Sequence, residues 1–84
     1  RNMIAGAAES VPGVREAVPT VRLKNDGWRV KCRISVTPEV ALADASGKVR
    51  EAISEVVMAH TGLPASSVDV ETHQSTLHAA KQLN

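Results

Sequence analysis

The sequence predicts an α+β domain with two helices packed on one face of a three-stranded sheet, in the order α-β-β-α-β. Three observations carry that reading. Trp28, Val30, Cys32, Ile34 and Val36 alternate strictly with Arg29, Lys31, Arg33, Ser35 and Thr37, the period of a strand with one buried and one wet face. From about Ala41 the apolar positions Leu42, Ala45, Val49, Ile53, Val56 and Val57, then His60, recur every 3.6 residues. Between two extended runs stands Asn25-Asp26-Gly27, a hairpin signal.

Taken in order, the first element is a short helix. Ile4, Ala7, Ala8 and Val11 fall at helical spacing, Asn2 is placed to cap the N-terminus, and Pro12-Gly13 closes the run. From Val14 the chain reads as extended through Val21 and Leu23. An Asp26-Gly27 turn then sets the hairpin register: Asn25 faces Trp28, Leu23 pairs with Val30 and Val21 with Cys32 on the core side. Pro38 ends the second strand. The main helix stops at Thr61-Gly62-Leu63-Pro64, which supplies a glycine for the left-handed position, an apolar residue after it and then a proline. Val68, Val70 and Thr72 alternate with Asp69, Glu71 and His73 as a third strand, lying beside either the first or the second. The domain is expected to span residues 1–74, with 75–84 as a tail or a short helix capped by Ser75.

Eighty-four residues make one domain, which at this size buries only about 60 to 65% of its unfolded surface. With 43% apolar and 23% charged residues the composition lies well away from disorder. Trp28 is the only aromatic residue, so the core is built from Val, Ile, Leu and Ala, and moderate stability is expected. The lone Cys32 has no partner for an intrachain disulfide, which points to a reducing compartment. No run approaches the length of a membrane span. The chain opens at Arg1 on a helix already under way, as expected of a domain cut from a longer protein.

The net charge of +1 hides a one-sided distribution. In the register set by an Asp26-Gly27 turn, Lys24 faces Arg29 and Arg22 faces Lys31 on the solvent side of the hairpin, and Arg33 extends the row. Directly opposed like charges destabilise a strand pair. Asp69 and Glu71 project to the same side but are outnumbered. Arg22, Lys24, Arg29, Lys31 and Arg33 are therefore the candidate interaction residues. The plain alternative is a solvated face held by weak ion pairs. RNA is not an expected partner, because the face has no Phe or Tyr on which bases stack.

No catalytic, cofactor or metal site is expected. His60, His73 and His78 show no ligand spacing with one another or with Cys32. Ser46-Gly47-Lys48 lacks the glycine-rich signature of a phosphate loop and falls within the helical pattern. Cys32 sits in the middle of the inward stripe, where a thiol is buried and inert.

Val11-Pro12-Gly13-Val14, the alternating strand 28–36, the run Lys48-Val49-Arg50-Glu51-Ala52-Ile53, Thr61-Gly62-Leu63 and Val68-Asp69-Val70 together resemble the alkaline shock protein family of Gram-positive envelope stress response proteins. Thr37-Pro38-Glu39-Val40-Ala41-Leu42 looks more like the membrane-anchor members than the soluble ones. The resemblance implies a non-enzymatic scaffold at the cytoplasmic face of the membrane, acting by self-association or by docking a related family member, with membrane attachment through a segment outside this chain. Polyanion binding through the basic face, to RNA or anionic lipid, is the alternative. The element order is also shared with type II KH domains, but this chain has no Gly-x-x-Gly clamp. It is shared too with ring-building domains, for which the basic face set against Glu51 and Glu55 would permit head-to-tail contacts.

Overall fold

Asn2 opens the first helix as its sequence position suggests. In a computed structural model that describes residues 2–74, its side-chain oxygen accepts hydrogen bonds from the N–H groups of Ile4 (2.7 Å) and Ala5 (3.3 Å), capping α1 (Met3–Glu9). The helix buries Ile4, Ala5 and Ala8 and hands over at Val11, itself buried, to a turn at Gly13. Gly13 has φ 93°, and a Cβ there would run into the side chain of Val40. Both facts demand glycine at this position.

β1 (Val14–Lys24) and β2 (Gly27–Val36) form the expected antiparallel hairpin, in a register two residues away from the predicted one. Lys24 pairs with Gly27, Leu23 with Trp28, Arg22 with Arg29, Val21 with Val30 and Pro19 with Cys32. The turn residues are Asn25 and Asp26, which keep negative φ, and the positive φ (122°) falls on Gly27 at the start of β2. An Asp-Gly I′ turn would need positive φ at both of its central residues. Here the glycine serves one position later, where a turn of two negative-φ residues hands over to the returning strand. A shift of two preserves every side chain's face but changes its partner. Lys24 therefore does not face Arg29, nor Arg22 Lys31; the directly opposed cations are Arg22 and Arg29.

α2 (Leu42–Thr61) ends as predicted, with Gly62 left-handed at φ 76°. The Thr61 hydroxyl donates to the Val57 carbonyl (2.7 Å) and accepts from the N–H of Leu63 (3.1 Å), tying down the exit. Ala45, Val49, Ile53 and Val57 are buried, whereas Leu42 and His60, at the two ends of the apolar period, lie exposed. β3 (Ser67–Gln74) pairs with β2, giving the order β1-β2-β3 and leaving β1 and β3 at the edges. β2 and β3 run parallel, an arrangement that needs a long crossover, and α2 is that crossover.

The core lies between β2 and the helices. Val30, Cys32, Ile34 and Val36 of the central strand are fully or almost fully buried against Val49 and Ile53 of α2 and Ala8 of α1. Among the described residues, no helix covers the opposite face of the sheet. The predicted tail or helix over 75–84 lies outside the described residues.

Candidate interaction surface

The alternation of three strands fixes what the open face presents. Reading across the sheet in register, it carries Arg22, Arg29 and Ser67, then Thr20, Lys31 and Asp69, then Val18, Arg33 and Glu71, and finally Glu16, Ser35 and His73. All five predicted cations, Arg22, Lys24, Arg29, Lys31 and Arg33, therefore share one side of the sheet. They are not equivalent. Arg29 bends toward the turn and binds Asp26 at 3.0 Å, and Arg33 meets Glu71 across the parallel pair at 3.5 Å. Arg22, Lys24 and Lys31 make no ion pair among the described residues. Positive charge is thus concentrated toward the hairpin tip and cancelled toward the other end. The Arg29 guanidinium, hydrogen-bonded to Asp26, holds that carboxyl below its usual range. The same contact gives one member of the directly opposed pair Arg22 and Arg29 a carboxylate partner.

The inner side of the tip holds a feature that the expected core pairing of Val21 and Leu23 missed. Those two side chains lie on the core side of β1, yet Val21 is 37% exposed and Leu23 64%. Helix length explains it. The seven residues of α1 rise about 10 Å, whereas the 11 residues of β1 extend about 36 Å. α1 covers the inner face of β1 at Ala17 and then runs out. What remains is a recess of about 170 Å³ lined by Ile4, Val21, Trp28, Val57 and Thr61, with Leu23 beside it in register with Trp28. The mismatch between a seven-residue helical pattern and an 11-residue extended run was the available sequence signal.

Cys32 is buried as expected, and burial pushes its thiol pKa up. His60 is exposed, its Nδ1 3.0 Å from the Val56 carbonyl, and His73 stands on the open face. Among the described residues, no three His, Cys, Asp or Glu side chains gather into a group able to hold a metal ion. No helix among them is long and apolar enough to cross a membrane.

The fold belongs to the ferredoxin-like α+β class, and the solved structures similar to it are C-terminal domains. They are forms of the MamM C-terminal domain. A variant in which an Asp and a His are exchanged is 28% identical, with a TM-score of 0.61, covering 89% of this chain and 94% of that one. An Asp-to-Ala variant is 26% identical, with a TM-score of 0.62 over 89% and 92%. A Glu-to-His variant described as a nickel form is 27% identical, with a TM-score of 0.60 over 87% and 91%. Neither the protein-family models nor the curated protein sequences give a match.

These likenesses overturn the resemblance to alkaline shock proteins and, with it, the envelope stress reading. The motifs behind that resemblance are devices of chain geometry. Gly13 supplies a positive φ, Gly62 a left-handed helix end and residues 28–36 a half-buried strand. Any chain folding in this order has a use for them, so they report a fold and not a lineage.

Proposed function

We propose that this chain is a regulatory domain of the kind found at the C-terminus of cation diffusion facilitator transporters, facing the cytoplasm and working by self-association. The observation that carries the reading is the likeness to the MamM C-terminal domain, which spans nine-tenths of both chains. The molecule's own surface supports it. An uncovered apolar recess and a concentrated set of cations stand back to back at the hairpin tip, a placement suited to contact with another molecule. Arg22, Lys24, Arg29 and Lys31 form the charged part of that contact surface, Arg33, paired with Glu71, extends the row away from the tip, and a partner meeting them is selected by charge.

Sedimentation velocity on the chain over a wide concentration range, at low and at high salt, tests the reading. A dimer that grows in with concentration is the expected result. Persistence of that dimer at high salt assigns the association to apolar contacts, and its loss assigns it to the basic face. A monomer at every concentration overturns self-association by this domain.

A further inference from the structure

The outer edge of β1 changes character halfway along. The N–H of Ala17 donates to a carboxylate oxygen of Glu9 at 3.2 Å, so it points away from β2. The register is regular from Glu16–Ser35 to Lys24–Gly27, and alternation therefore turns the N–H positions of residues 19, 21 and 23 the same way. Residue 19 is proline and has no donor. The first half of the edge is thus closed twice, by a carboxylate and by a proline, two of the means by which edge strands are kept from pairing with other chains. Beyond Pro19 the closure stops. Val21 and Leu23 carry outward N–H groups with no acceptor among the described residues.

Side chains at the same level add two further requirements for any occupant. On the inner side, Val21 borders the apolar recess with Ile4, Trp28 and Val57, and Leu23 lies exposed beside it. On the outer side stand Arg22 and Lys24, without ion-pair partners among the described residues. A strand added at this edge places alternate residues over the recess and over the cations.

We propose that the distal edge of β1, Thr20–Lys24, takes up an extended peptide segment of a partner protein as a fourth strand, with apolar and acidic residues alternating along it. The main chain of the segment satisfies Val21 and Leu23. Its apolar residues extend the recess, and its carboxylates meet Arg22 and Lys24. A second copy is the poorer occupant. Symmetric antiparallel pairing about Arg22 sets Arg22 against its own counterpart and pairing about Leu23 sets Lys24 against Arg22, cation against cation in both; pairing about Val21 avoids this but sets Leu23 against Pro19, which has no donor to give. The proposal competes with self-association where a dimer uses the recess and these cations, and it is independent of a dimer formed through another surface, which leaves this edge open.

The test is a titration of the 84-residue chain, read by the fluorescence of Trp28, its only aromatic residue. Two capped octapeptides serve as probes, one alternating Val and Glu, the other Val and Lys. The expected result is saturable binding of the acidic peptide at least tenfold tighter than the basic one, weakening at 0.5 M salt. Val21→Pro, which removes an outward donor just as Pro19 does and leaves the β1–β2 ladder intact, should abolish it. The double substitution Arg22→Glu/Lys24→Glu leaves the main chain alone and should invert the preference toward the basic peptide, so the proposal stays testable even where a proline disturbs folding. Equal affinity for the two peptides, no saturation up to millimolar concentration, or a charge-reversed chain that still prefers the acidic peptide overturns the proposal. A dimer dispersed by Val21→Pro in a chain that binds neither peptide also overturns it and gives the edge to a second copy.

Discussion

The two halves of β1 share one strand, one partner and one alternation, yet they live in different solvents. At Ala17 the inner side chain is 7% exposed beneath α1; at Leu23, three pleats on, it is 64% exposed. The edge changes at the same place, from a donor capped by Glu9 and a proline to donors without acceptors among the described residues. The lesson is that burial of a strand is set by the length of what covers it and not by its own pattern. An alternating sequence guarantees two faces, and the helix decides how far one of them stays dry.

The strongest test of that contrast compares core truncations on the two sides of the boundary. Ile34, fully buried opposite Ala17, should cost about 2–5 kcal/mol when replaced by Ala. Leu23→Ala should change stability by no more than about 0.5 kcal/mol. Urea unfolding of both variants measures the pair, and similar losses would mean that the tip is covered after all. Next in size, Gly13→Ala should destabilise the covered end by at least about 1–3 kcal/mol, from the cost of a left-handed alanine. The collision with Val40 adds to this, and a shift in thermal midpoint reports the sum.

A smaller effect sharpens the edge comparison. Glu9→Ala removes the acceptor of the Ala17 amide and should cost about 0.5–1.5 kcal/mol. It should also speed hydrogen exchange at Ala17 while leaving Val30 protected. Unchanged exchange at Ala17 would show that the carboxylate does not guard the edge. The smallest effect lies at the turn. Asp26 is held below the usual carboxylate range by its hydrogen bond to Arg29. Its stabilising contribution is therefore present above the unfolded pKa and is lost as pH falls through the lower folded value. A carboxyl NMR titration should show this depression in the parent and a clear reduction of it in Arg29→Ala, with Lys24 and a backbone hydrogen bond still lowering the value.

Much of the fold was legible because punctuation and period agreed. Asn2, Gly13, Gly62 and the 28–36 alternation each have a local reason, and each stands where the sequence reading placed it. The hairpin register was misread because Asp-Gly favours one turn and the chain uses another; only a competition between whole ladders decides between two registers that keep the same faces. The pairing of β3 with β2 was open for a similar reason, since spacing permits either neighbour. At the candidate surface, the shared face of the five cations followed from alternation alone. Their division into paired Arg29 and Arg33 and Arg22, Lys24 and Lys31, which have no ion pair among the described residues, did not, because it rests on rotamers and on cross-strand distances. The recess escaped because pairing arguments treat core side as equivalent to core.

Gln74 gives the fold a timetable. Its side-chain amide reaches the carbonyls of Pro38 (2.8 Å), Thr37 (3.5 Å) and Val40 (3.5 Å), while Thr37 donates to the Gly13 carbonyl (2.9 Å) and Val40 packs over Gly13. The turn at Gly13, the loop before α2 and the end of β3 are fastened in one corner. On a ribosome the hairpin and α2 emerge earlier, but this corner waits for residue 74, and β2 stays an open edge on one side until then. This corner therefore closes only when β3 has been released, and the interval before that is when the free side of β2 is most exposed to pairing with the wrong chain.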